Sequence, residues 1–138
     1  MLAEFDIDVG CVVREQYPSE IKCRETSILS ELMLPEGSHK YAEDWNLFTL
    51  HSASEDAEQL PADAGLKYAF NMVRNKRDTN VRRGAIVKAI AVVTTADQLD
   101  LLWPVKPLLR DALEVCEFRA QLIPTRLCTL QTREVLTR

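Results

Sequence analysis

The sequence is poor in several things that catalytic and nucleic-acid-binding proteins need. It holds only four glycines, and none falls in a Gly-x-x-x-x-Gly-Lys-Ser/Thr frame, so no phosphate-cradling loop is expected. It has two histidines, His39 and His51, with no Ser-His-Asp or His-x-x-x-His arrangement around them. None of its four cysteines (Cys11, Cys23, Cys116, Cys128) forms a CxxC pair, so the local chelate of a structural zinc site is missing. There is no basic excess: the net charge is −4, which speaks against nucleic acid as a partner and against general adhesion to an anionic membrane. The longest nearly apolar run, Gly84–Val93, is ten residues long and contains Lys88, too short for a transmembrane helix. Met1 is followed at once by Leu-Ala-Glu-Phe-Asp, which does not read as a signal peptide, and no Asn-x-Ser/Thr site exists. The expectation is a cytoplasmic chain with reduced thiols, no metal and no cofactor.

What remains is the composition of a globular protein. With 138 residues, 46% hydrophobic and 28% charged, the chain suits a single domain spanning 1–138 that holds a core without staples. Phe5, Ile7 and Val9 alternate with Glu4, Asp6 and Asp8, predicting a strand over 2–9 with one wet face. Asp8-Val9-Gly10-Cys11 reads as a hairpin turn, with Gly10 supplying a positive φ, and Pro18 ends the second strand. Ile28, Leu29, Leu32 and Met33 make a helical stripe over about 24–33, capped by Thr26 or Ser27 and stopped by Pro35-Glu36-Gly37. Strands follow at 45–51 and from Leu66 to Met72, separated by an acidic loop over 52–65. Asn75–Arg83 reads as a polar, basic hairpin tip.

Gly84–Thr94 decides the architecture. Ala85, Val87, Ala89, Ala91 and Val93 line one face of this strand, and Ile86, Ile90 and Val92 line the other. A strand apolar on both faces needs cover on both. Leaving the three isoleucine and valine side chains wet forgoes roughly 2 kcal/mol each. Cover is available from a short helix over 96–103, a helix over 105–119 with the stripe Leu108, Leu109, Ala112, Leu113 and Cys116, and an extra C-terminal helix at 124–136 within 116–138. The expected fold is α/β (α+β): a three-layer α/β/α sandwich around a five-stranded, mainly antiparallel sheet, in the order ββαβββαα. It lacks the alternating rhythm of a nucleotide-binding Rossmann fold.

Three stretches carry a resemblance. They are Ala3–Gly10 with Val12–Pro18, Glu31-Leu32-Met33-Leu34-Pro35-Glu36-Gly37-Ser38-His39 followed by Glu43-Asp44-Trp45-Asn46-Leu47-Phe48, and Val81–Ala89. Together they resemble the longin, or SNARE-like, N-terminal lobe of DENN-type proteins, and most narrowly the fungal MesA-type polarity family. The resemblance covers residues 2–115. It implies an Arf-docking domain in vesicle trafficking and cell polarity, partnered by a small GTPase of the Arf or Rab type and adjoining a downstream DENN lobe or a second longin domain. On that basis the chain is expected to be no enzyme, and to reach membranes or the polarised cortex through its partners. Part of a Rab exchange factor, or an architectural dimerisation module, is the alternative.

The candidate docking residues are Tyr41, Asp44 and Trp45 at the helix-to-strand junction, and Lys76, Arg77, Arg82 and Arg83 in the basic stretch. The four cations reverse the overall negative charge locally. Each has a blander reading: a solvated hairpin tip for the cations, and a core contact for Trp45 and for Trp103. Glu36, His39 and Asp44 are near one another in sequence, but a turn with local hydrogen bonds explains them better than a metal does. Cys11 beside Gly10 is read as an inert thiol.

Overall fold

The computed structural model describes residues 1–53, 65–95, 98, 100 and 102–120, with side chains of the last helix described over 103–116. Five strands are present: β1 (Leu2–Asp6), β2 (Gly10–Glu15), β3 (Glu43–His51), β4 (Leu66–Arg77) and β5 (Ala85–Thr95). Helix α1 (Leu29–Met33) follows a 3-10 turn at Thr26–Ile28; a second 3-10 turn, Ser38–Lys40, precedes β3; and α2 (Leu102–Ala120) follows β5. The strands form one sheet in the order β2-β1-β5-β4-β3, and every pairing is antiparallel. The class is the expected α+β one, with a helix on each face. The fifth strand is central, as its two apolar faces require.

The two faces follow the pleat. On one, Ala3, Val73, Ala89 and Ala91 close against Met33 and Leu34, and Ala69 and Leu50 close against Leu29. Alanine at four sheet positions leaves room for larger side chains of a helix to sit close. On the other face α2 buries Leu109 and Leu113, one turn apart, against β4 and β5. Met72 is fully buried, and Ile86, Ile90 and Val92 are half-buried.

Several boundaries differ from expectation. The first strand stops at Asp6 rather than residue 9: Ile7, Asp8 and Val9 form a three-residue turn, and Gly10, at φ 94°, opens β2. Asp6 Oδ1 accepts the N–H groups of Asp8 (2.9 Å) and Val9 (3.3 Å), a local bond that wins over continued pairing. Ile7 and Val9 therefore leave the apolar face they were expected to line. The helix at 24–33 is shorter and enters through 3-10 geometry without a side-chain cap. The Thr26 hydroxyl donates back to the Cys23 carbonyl instead, at 2.7 Å. Strand β4 continues to Arg77, so Lys76 and Arg77 are strand residues and the basic turn is only Asp78–Gly84. Helix α2 begins at Leu102, takes in Pro104 and Pro107, and points Leu108 outward beside the buried Leu109. Trp103 is 77% exposed and makes no core. The expected helix at 124–136 lies outside the described residues, as does part of the one at 96–103.

Candidate docking end of the sheet

The strand register gathers three connections at one end. Arg77 pairs with Ala85, Asp6 pairs with Gly10, and the N–H of Asn75 donates to the carbonyl of Ala42 at 3.0 Å. Because β1 also pairs antiparallel with β5, the β1–β2 turn, the β4–β5 turn and the entry into β3 stand side by side. Across five strands at about 4.8 Å spacing this end is roughly 20 Å wide. The basic turn occupies its middle.

The entry into β3 is fixed by asparagines on the α1 face. Asn71, fully buried, donates to the Met33 carbonyl (2.7 Å) and to Asn46 Oδ1 (2.7 Å). Asn46 donates to the Leu32 carbonyl at 3.2 Å, and Asn75 donates to the His39 carbonyl. Carbonyls at the end of a helix have no partner within it, so α1 ends on bonds made by β3 and β4 side chains. Gly37 turns the chain with φ 90° and a buried Ser38 follows. This clasp accounts physically for the Leu34–His39 and Glu43–Trp45 stretches: they hold the junction, and Tyr41 is carried beyond it, 63% exposed.

The candidates separate in space. Tyr41, Lys76, Arg77, Arg82 and Arg83 share the sheet end, with Lys76 and Arg77 on opposite faces of β4. Arg83 lies over the Phe5 ring, 4.0 Å from its centroid, joining the basic turn to β1. Asp44 and Trp45 sit further in. Asp44 Oδ1 accepts the Trp45 N–H at 2.9 Å on the open edge of β3. The Trp45 ring belongs to the α2 face: it stacks on Phe70 (centroids 5.3 Å, 24°), donates Nε1–H to Glu43 Oε1 (2.8 Å), and lies under the Lys106 ammonium at 4.5 Å. Glu43 takes both Nε (2.9 Å) and a terminal nitrogen (2.7 Å) of Arg110. That pair is the main reason its carboxyl is held below its ordinary value; burial opposes it and the Trp45 bond adds to it. Trp45 therefore serves to seat α2.

Sequence reasoning missed two apolar side chains at this end. Ile7 is 48% and Val9 75% exposed, on the turn next to Arg83. The signal was present in Asp6 and Gly10, four apart, which close a three-residue hairpin loop. Of the remaining candidates, Cys11 has its thiol pushed up by burial and by the Glu31 carboxylate, against Arg83, so it stays protonated and unreactive. Among the described residues no three His, Cys, Asp or Glu side chains converge to hold a metal, and no helix is long and apolar enough to cross a membrane.

Residues 1–85 match a family described as the docking domain of Afi1 for Arf3 in vesicle trafficking. An AFI1-like protein of Schizosaccharomyces pombe is 36% identical over 126 residues, covering 83% of this chain and 20% of that protein. The chain thus spans about a fifth of its curated relative. No solved structure matches it.

Proposed function

Because the chain belongs to the family of the Afi1 docking domain, we propose that it is a non-catalytic module that docks an Arf-type small GTPase in vesicle trafficking and polarised growth, and that it does so through the sheet end. The observation that carries the reading is the exposed Tyr41 at the same sheet end as Lys76, Arg77, Arg82 and Arg83. An aromatic flanked by arginines is the side-chain chemistry that dominates protein interfaces. Asp44 and Trp45 act behind it: Trp45 seats α2, and Asp44 covers an outward N–H of the β3 edge, which would otherwise invite strand pairing.

The test is calorimetry of the purified chain with Arf and Rab proteins in both nucleotide states. Preference for the GTP form of an Arf protein, lost in Tyr41→Ala, is the expected result. Equal binding to both states, or none, defeats the reading. Nucleotide release measured in the same mixtures should be unchanged by the domain, since the reading is of docking without exchange. Accelerated release would turn the reading toward exchange, and a dimer in sedimentation that ignores GTPases would turn it toward an architectural role.

A further inference from the structure

We propose that the β1–β2 turn is the apolar anchor of the docking surface, and that the partner meets it with an apolar patch bordered by carboxylates. This rests on the reading above for the partner being a folded protein. The geometry of the turn does not require its own side chains. Asp6 Oδ1 accepts the N–H groups of Asp8 and Val9, and Gly10 takes the positive φ. Such turns ordinarily carry Asn, Asp, Gly or Ser. Here two of the three positions are β-branched and apolar, and neither is used for burial: Ile7 is 48% and Val9 75% exposed.

Their neighbours supply the charge argument. Arg83 lies over Phe5, at the base of the turn, so the cations Arg82, Arg83, Lys76 and Arg77 follow directly along the sheet end. The carboxylates at this end are mostly engaged: Asp6 with Arg14 and two backbone N–H groups, Asp78 with the N–H of Asn80. Asp8 is the exposed exception, at the apex between the two aliphatic residues. An anionic lipid surface would repel Asp8 at the point where Ile7 and Val9 must enter. A protein partner can meet it with one donor. The pattern of aliphatic tip, single carboxylate and flanking cations therefore favours a protein surface over a bilayer.

The experiment uses the full chain and an Arf-type GTPase loaded with a non-hydrolysable GTP analogue. Val9→Asp, and separately the double change Ile7→Ser with Val9→Ser, should weaken binding by about tenfold or more, with the melting temperature unchanged. For the serine pair, which adds no charge, the loss should not depend on salt. Arg82→Glu should weaken binding more at low than at high ionic strength. If the serine pair binds as tightly as wild type while Tyr41→Ala weakens binding, the anchor is refuted and the docking reading stands. If no loaded GTPase binds the wild-type chain, both fall. If the wild-type chain sediments with phosphatidylserine vesicles and Val9→Asp abolishes that but leaves GTPase binding intact, the turn is a membrane contact and the inference is wrong.

Discussion

On the α1 side of the sheet, Ala3, Ala69, Val73, Ala89 and Ala91 are shut against Leu29, Met33 and Leu34. On the α2 side, one register row crosses the same strands with Glu4, Lys88, Arg74 and Glu43. The acids stand at the outside of that row and the two cations meet in its centre. Arg14 pairs with Glu4 and Asp6, Lys88 Nζ lies 3.8 Å from Glu4, Arg74 reaches Glu114 at 3.2 Å, and Arg110 holds Glu43. One face is thus held by burial and by asparagine N–H groups that donate across to backbone carbonyls. The other is held by Leu109, Leu113, Met72 and the Trp45–Phe70 stack together with a set of ion pairs, most of them wet. The contrast teaches that the central strand needs cover on both sides, but not the same kind of cover. The α1 face should dominate stability, and the α2 face should be the one that responds to salt and acid.

The largest effect expected is on the α1 face. Met33→Ala should cost about 2–5 kcal/mol, read from the denaturant midpoint, because the side chain is fully buried among Ala3, Val73, Ala89 and Ala91. If Leu113→Ala, equally buried under α2, cost clearly more than Met33→Ala, the ranking of the faces would reverse. Next is Asn71→Leu, expected to cost about 1–3 kcal/mol by stranding the Met33 carbonyl and Asn46. A neutral result would mean that the asparagine clasp does not hold α1.

Lys88→Met sharpens the comparison most directly. Lys88 is 7% exposed and sits next to Arg74 in the row, while Glu4 retains Arg14. The change should be neutral or stabilise by about 1 kcal/mol. A marked loss would show that the charged row is a source of stability after all. Smallest is Arg110→Ala, a small loss that shrinks further in high salt, since half of the Arg110 side chain is in water. The pH sign follows from Glu43, whose folded value lies below the ordinary 4.5. Its contribution is complete above the unfolded value and fades as pH falls through the folded one. An acid titration by circular dichroism below pH 4.5 should therefore lose its Arg110-dependent part first in the helix signal of α2.

Much of this was legible in the sequence where local rules and tertiary needs agree. Gly84–Thr94 reads as a doubly apolar strand, and the structure has a strand over Ala85–Thr95. Of the stripe Leu108, Leu109, Ala112, Leu113 and Cys116, Leu109 and Leu113 are buried core contacts while Leu108 faces outward. The failures come where a short-range bond competes with a pattern. Ile7 and Val9 continue the alternation of Phe5, yet Asp6 bends the backbone away. Asn46 and Asn71 read as unremarkable polar positions in strands and Asn75 as part of a hairpin tip, because nothing in a single sequence says that they reach carbonyls of α1 or of the following 3-10 turn some 14 to 38 residues away. Trp45 reads either as a docking residue or as a core contact, and its ring faces α2 rather than the sheet end.

The amino-acid order by itself determined the number of strands, their kind and the need for two helical layers, since periodicity and two-sided hydrophobicity are properties of adjacent residues. Only the tertiary structure decided which turns share an end, which charges form a row and which helix carbonyls the asparagines satisfy. Those relations depend on antiparallel register between strands distant in the chain, and register places side chains together that no local period connects.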